Sequence, residues 1–346
     1  MIFWTESRCQ AFLPETYYST AAQLEANLND EYPNVLPSFG QWTYGIFGED
    51  KGTDNQIEVN ANDRYTQDRW KVPHSESDNW KFERIYRINF FLSEALPKFG
   101  EDMSGSQNTI SGSVATIKHY IGEMYFLRAY EYFKKLQLFG DFPIINQPLA
   151  DEMEALREAS KRFPRNEVAR FIISDLDKAY AYMSDVDMAT TRINKDAAML
   201  VKSRVALFEA TWLQNFKGTA FVPGGEGWPG ASLHNNYQYP SGNLDNEVKY
   251  FLEQAVEASK LVADKYKGNL TENTGVLQQS ADDPSNPYFD MFAQEDLSDV
   301  KEVLLWRQYA RGLSTHNINA AAGRGNYRIG LTRGFVQNFL MKDGTP

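Results

Sequence analysis

Apolar residues recur along most of this chain at spacings of three and four, the period of an α-helix with one buried face. The clearest run spans about Val114 to Phe139. Ile117, Ile121 and Met124 share one face, and Phe126, Tyr130, Phe133 and Leu136 or Leu138 fill another, which predicts a helix buried nearly all round. Gly140, Asp141 and Pro143 punctuate its end. A second helix is expected from an Asn166 N-cap through Val168, Phe171, Ile172, Leu176, Ala179 and Met183. A third runs from about Lys195 to Trp212. Asp245 or Asn246 opens a fourth, with Val248, Phe251, Leu252, Ala255, Val256, Leu261 and Val262 as its stripe. Shorter helices are predicted at Thr20 to Tyr32 and at Trp80 to Leu96, the latter stopped by Pro97. Residues 144–148 and 302–306 are short extended candidates, and nothing alternates long enough to build a sheet. The fold class is therefore mainly α, with helices as scaffold and long irregular loops between them.

Residues 166–171 read Asn-Glu-Val-Ala-Arg-Phe and 246–251 read Asn-Glu-Val-Lys-Tyr-Phe, 80 positions apart. Such likeness suits stacked helix pairs of the tetratricopeptide kind, two units plus an insertion. It suits equally two amphipathic helices that share a good N-cap. The whole chain, 1–346, is taken as one helical domain, with 214–244 as a loop-rich insertion and candidate ligand surface.

The chain carries 35 Lys+Arg against 46 Asp+Glu, net −11, with no compensating basic block, so a nucleic acid partner is disfavoured. Cys9 is the only cysteine and sits beside Ser7, Arg8 and Gln10 without a Gly-rich turn, a poor setting for a nucleophile. His74, His119, His234 and His316 are too far apart for metal-ligand spacing, and neither zinc nor any cofactor is implied. No apolar run approaches the roughly 20 residues that span a bilayer. The first eight residues lack the basic head and apolar stretch of a secretory signal, and the chain stops abruptly after an aromatic segment, so a fragment trimmed at one or both ends is expected.

Gly225-Glu226-Gly227-Trp228-Pro229-Gly230 formally satisfies the dinucleotide fingerprint. That fingerprint needs a strand before it and a helix after it, and neither is predicted. It reads instead as a rigid, aromatic-bearing surface loop. The acidic clusters 50–54 and 282–290 could hold calcium, but solvated loop carboxylates explain them more simply. Asn269-Leu270-Thr271 fits a glycosylation acceptor, a pattern frequent by chance.

The aromatic load stands out: 22 Phe, 19 Tyr and 7 Trp, with Trp42, Tyr44, Tyr65, Trp70, Trp228, Tyr237 and Tyr239 among Gly, Pro, Asn and Asp in predicted loops. A sugar ring offers an apolar C–H face and a belt of hydroxyls, which aromatic faces and Asn or Asp side chains complement. Trp228, Tyr237 and Tyr239 are the first candidates for stacking, and Trp42, Trp70 and Trp80 the reserves. Asn235, Asn236 and Asp54 are assigned to hydroxyls. The competing explanation is that such aromatics pin irregular segments to the scaffold.

Gly122-Glu123-Met124-Tyr125-Phe126-Leu127-Arg128-Ala129-Tyr130-Glu131-Tyr132-Phe133, followed by Leu138-Phe139-Gly140-Asp141-Phe142-Pro143, resembles the hallmark segment of the SusD/RagB family. The likeness continues through Arg192-Ile193-Asn194-Lys195-Asp196-Ala197-Ala198, Arg204 to Phe208, Trp80 to Leu96, and the closing Phe339 to Pro346. The resemblance implies tetratricopeptide-like helix pairs, no catalysis, glycan capture at the outer-membrane surface, a lipid anchor, and a TonB-dependent transporter as partner. Glu123 and Arg128 are expected to make buried hydrogen bonds that fix the helix, and Gly140-Asp141 to supply its turn. The family fixes no ligand residue by motif, so the candidate site rests on loop aromatics alone.

Two departures fit a trimmed chain. Cys9 has no apolar segment upstream and is not the lipid-modified cysteine of that family, and the chain ends at a Met-x-Asp-Gly segment beyond which the family continues. The reading is a non-catalytic glycan-binding protein. Its rivals are a helical-repeat module for peptides or proteins, and a glycoside hydrolase, for which no acid pair is recognisable.

Overall fold

The structure, a computed structural model, describes residues 17–40, 48–58, 79–100, 102–184, 188–276, 280, 282–310, 315, 329–341 and 343–345. Cys9, Trp42, Tyr44, Tyr65 and Trp70 lie outside them.

The chain is mainly helical. In order come α1 (Ala21–Val35), β1 (Gln56–Glu58), α2 (Glu83–Phe99), α3 (Val114–Phe139), α4 (Met153–Ala159), α5 (Arg165–Tyr182), α6 (Lys195–Asn215), α7 (Leu244–Tyr266), α8 (Pro287–Met291), β2 (Ile329–Leu331) and α9 (Arg333–Gln337). Side-chain oxygens open several of these helices. Thr20 forms a capping box with Gln23 at α1, and Ser113, Asn194 and Asn243 accept a backbone N–H at α3, α6 and α7.

Some expected boundaries move. Asn166 is not a cap: α5 starts one residue earlier, behind Pro164, and Asn166 turns inward. Pro97 does not stop α2, which runs on to Phe99 before Gly100 donates its N–H to the Leu96 carbonyl. A proline this close to a helix end removes little hydrogen bonding, and burial of Ile85, Ile88, Phe91, Leu92, Ala95 and Phe99 carries the helix past it. Residues 144–148 and 302–306 form no strand. The strands among the described residues are three residues each, paired antiparallel with Ile57 opposite Gly330, too short to show a period of two.

The described residues of Met1–Leu36 and Lys81–Trp306 form one compact unit, and those of Pro37–Trp80 and Arg307–Pro346 another. The first holds the helical array. There α3 packs against α1, α2 and α5, α5 against α6, and α6 against α7, the succession of neighbours that stacked helix pairs produce. The second holds β1, β2 and α9.

α3 is buried almost all round, as its pattern requires, and several of its polar side chains find partners inside the array, although the buried His119 Nδ1 has none among the described residues. The Arg128 guanidinium donates to both Asp175 oxygens, at 2.6 and 2.8 Å, and to the Asn89 carbonyl oxygen at 2.9 Å. Glu123 accepts from Tyr32 Oη at 2.7 Å and from Arg192 Nη2 at 2.7 Å and Nε at 3.0 Å. Tyr132 joins the loop after α3, accepting the Ile145 N–H and donating to the Ile145 carbonyl. Gly122 lets α5 approach: a Cβ there would stand 2.8 Å from Met183 N and 2.9 Å from the Ala179 carbonyl oxygen. Gly140 takes φ 67°, the left-handed turn that ends α3.

The two Asn-Glu-Val segments differ in what they bury. Asn166 of α5 is inside and Glu167 half-exposed, whereas Asn246 of α7 is exposed and Glu247 buried. The helices are thus turned by one residue relative to each other, and the likeness at 80 positions is not a structural register.

Candidate ligand-binding surface

The loop joining α6 to α7 carries Trp228, Asn235, Asn236, Tyr237 and Tyr239. Its irregular course is held by a short 3-10 turn at Pro229–Ser232 and by contacts to the start of α5. Trp228 is 5% exposed. Its indole N–H donates to Asp141 Oδ2 at 2.7 Å, and Asp141 Oδ1 accepts the Arg165 backbone N–H at 2.9 Å. One carboxylate therefore holds the end of α3, the first turn of α5 and the loop together. Gly230 leaves room for the indole, since a Cβ there would lie 2.2 Å from the ring.

Trp228, the first candidate for stacking, is thus placed inward. An indole N–H in an apolar setting needs an acceptor, and Asp141 draws the ring inward. Tyr237 and Tyr239 are half-buried, with rings 5.1 Å apart and edge-to-face. Tyr237 Oη donates to Asn166 Oδ1 at 3.1 Å and accepts from Asn166 Nδ2 at 2.9 Å. Tyr239 Oη donates to the Pro223 carbonyl. Burial pushes both phenols well above their usual range. Both hydroxyls are thus committed to the protein.

Behind these rings lies a charged layer that the sequence did not disclose. Asn166 Nδ2 also donates to Glu247 Oε1 at 3.0 Å, and Arg170 grips Glu247 through Nε and Nη2 at 2.7 and 2.8 Å. Burial pushes the Glu247 carboxyl up, but hydrogen bonds from Arg170, Asn166 and Ser241 outweigh that and hold it below the usual carboxylate range. Arg165 pairs with Glu209 at 2.9 Å under the Trp212 ring, 4.1 Å from its centroid. Burial raises the Glu209 and Asp141 carboxyls despite their partners. The available signal was weak. Asn166 and Glu247 belong to the repeated segment, where capping offered an easier explanation.

The remaining candidates are scattered. Asn235 and Asn236 are exposed, and their side-chain amides make no hydrogen bond among the described residues. Asn236 has φ 55°, a conformation asparagine tolerates better than most residues. Asp54 is exposed ahead of β1, its carbonyl accepting from the Thr332 hydroxyl, and Trp80 is half-buried. Those two belong to the second unit. Trp42 and Trp70 lie outside the described residues.

Among the described residues no helix is long and apolar enough to cross a membrane, and no group of three or more His, Cys, Asp or Glu side chains gathers as a metal site.

Residues 11–207, more than half of the chain, match the SusD-like family described as starch-binding and associating with the outer membrane. The chain belongs to that SusD-like family. It is 26% identical over 221 residues to SusD-like protein P2 of Formosa agariphila, an alignment covering 60% of this chain and 40% of that protein. Its fold matches the crystal structure of a SusD-like carbohydrate-binding protein from Bacteroides fragilis with a TM-score of 0.58 at 14% identity, over 96% of this chain and 55% of that one. A SusD homolog from Bacteroides thetaiotaomicron superposes less fully, with a TM-score of 0.47 at 18% identity over 78% of this chain and 44% of the other. The chain thus spans about half the length of these relatives or less. The SusD-like hallmark residues quoted from the sequence, Gly122, Glu123, Arg128, Tyr132, Gly140 and Asp141, all serve internal packing or hydrogen bonds.

Proposed function

We propose that this chain belongs to a non-catalytic glycan-binding protein that captures oligosaccharide at the outer-membrane surface, under a lipid anchor, and passes it to a TonB-dependent transporter. The observation that carries this reading is the match over residues 11–207 to a family described as starch-binding and associating with the outer membrane. The hallmark segment is consumed by the scaffold, which leaves the loops as the ligand surface. Within 214–244 the proposed contacts are the half-exposed rings of Tyr237 and Tyr239 and the amides of Asn235 and Asn236, with Trp228 holding them in place from below. Trp42, Trp70, Trp80 and Asp54 stay in the proposal on sequence grounds. Residues 1–346 are proposed to serve as one helical domain, with 214–244 as its loop-rich insertion.

Non-catalysis is supported by where the carboxyls lie. A glycosidase needs two of them facing one bond in an accessible cleft, the acid with a raised pKa. Among the described residues the raised carboxyls, Asp141, Glu209 and Glu31, are engaged by Trp228, Arg165 and Arg87 respectively.

A glycan array followed by calorimetry on the hits tests the reading. Binding to at least one oligosaccharide, with no reducing ends released on long incubation, is the expected result. Silence across plant, host and microbial glycans, together with binding to peptides, would replace it with the helical-repeat interaction module. Released reducing ends would replace it with a hydrolase. Co-purification with a TonB-dependent barrel from outer membranes tests the transporter step.

A further inference from the structure

Away from the 214–244 loop, a hollow of about 420 Å³ opens between the segment after α7 and the segment around α8. Its volume lies in the roughly 300–1,000 Å³ range of small-ligand sites. Pro287, Met291 and Val300 give it an apolar wall, and Met291 is buried there, with the Thr271 hydroxyl 3.9 Å from its sulfur. Asn269, Asp290, Gln294, Asp299 and Lys301 complete the lining. Among the described residues none of these five side chains makes a hydrogen bond or ion pair. The contrast with the α6–α7 loop is sharp, because there the tyrosine hydroxyls and the indole N–H are already taken.

Pro287, Asp290 and Met291 of α8 line the hollow together with Gln294, three residues beyond the helix. Tyr288 and Phe292 are exposed, with rings 5.3 Å apart. An apolar wall beside uncommitted amides and carboxylates is what a pyranose requires: a C–H face against the first, hydroxyls against the second.

Charge narrows the class. The lining carries two carboxylates and one ammonium, so a uronate or sulfated sugar would be repelled, whereas neutral hydroxyls would donate charge-assisted hydrogen bonds to Asp290 and Asp299. We propose that this hollow is a subsite for a neutral hexopyranose unit, bound by Asp290, Asp299, Gln294 and Lys301 over the Met291 wall. The proposal rests on the glycan-binding reading and adds to it a location and a charge class.

The test is calorimetry of the intact chain with maltoheptaose, laminariheptaose, mannan and galactan oligosaccharides, and polygalacturonate and alginate oligomers. The same titrations are run on Asp290→Ala/Asp299→Ala and on Gln294→Ala, with circular dichroism to confirm folding. Losing a hydrogen bond to a charged group weakens binding by about tenfold or more, and that loss is expected for a neutral ligand in the double variant. Asp290→Asn/Asp299→Asn serves as the isosteric replacement should the alanine pair melt early. Full affinity for a neutral glycan in every variant would overturn the subsite and leave the glycan-binding reading standing. Preference for the polyanions would overturn the charge class alone among the claims. Failure of the unaltered chain to bind any of the six probes, or anything on an array, would sink both.

Discussion

Trp228 donates its indole N–H to the same carboxylate, Asp141, that accepts the first backbone N–H of α5, so a residue of the α6–α7 loop and the hallmark turn after α3 share one anchor. Trp228→Phe keeps a ring but leaves Asp141 Oδ2 without this donor, at an expected cost of about 1–3 kcal/mol. Trp228→Ala also empties the site and should cost about 3–5 kcal/mol. Urea denaturation followed by fluorescence and circular dichroism checks both. An alanine variant as stable as the parent would show that the loop does not depend on this ring.

Gly122→Ala places a methyl group against backbone, 2.8 Å from Met183 N and 2.9 Å from the Ala179 carbonyl oxygen, where no side-chain rotation relieves it. Overpacking of this kind costs about 1–3 kcal/mol, and α3 and α5 should separate slightly. The measurement is a lowered midpoint in urea with an unchanged slope.

Arg128 and Asp175 are a bidentate pair within the array, and both are buried. Arg128→Met leaves the Asp175 charge without its main partner and should destabilise by about 3–5 kcal/mol. The double variant Arg128→Met/Asp175→Leu should recover much of that loss, because the cost lies in the stranded charge. A double-mutant cycle in urea decides. A double variant as weak as the sum of the singles would place the cost in lost packing instead.

The carboxyl of Glu247 lies below its ordinary value of 4.5 in the folded chain, so it contributes stability that is fully present at neutral pH and is lost as the pH falls below 4.5 through the depressed folded value. Glu247→Gln removes that titration. The stability gap between the two proteins should be widest near neutrality and close on acidification. The raised carboxyls Asp141 and Glu209 act in the opposite sense, since the folded state takes up their protons first on acidification. Melting both proteins across this range measures the gap. A constant gap would mean that Glu247 acts by shape alone.

The helices were legible because helical periodicity and burial coincide. α3 begins and ends where the run from Val114 to Phe139 and the Gly140 turn predict, and its internal Glu123 and Arg128 are hydrogen-bonded as an otherwise apolar helix demands. Boundaries failed where tertiary burial overrode a local rule, as at Pro97 and Asn166. The candidate site was less legible. Loop position suggested exposure for Trp228, but its inward turn depends on Asp141, 87 residues away, and no local pattern encodes such a pairing. The hollow beside α8 was equally hidden, because its polar residues come from separate stretches around 269, 290 and 300.

The segment linking α6 to α7 is tied down by Trp228 to Asp141, by His234 to the Arg162 carbonyl and by Tyr237 to Asn166. Between those ties Leu233 is 53% exposed. A protease cutting there would release neither piece, since each stump keeps its own fastening and α6 and α7 stay pressed together. The nicked molecule should run as one species on a native gel and as two on a denaturing one, and halves made separately should recombine into the original particle.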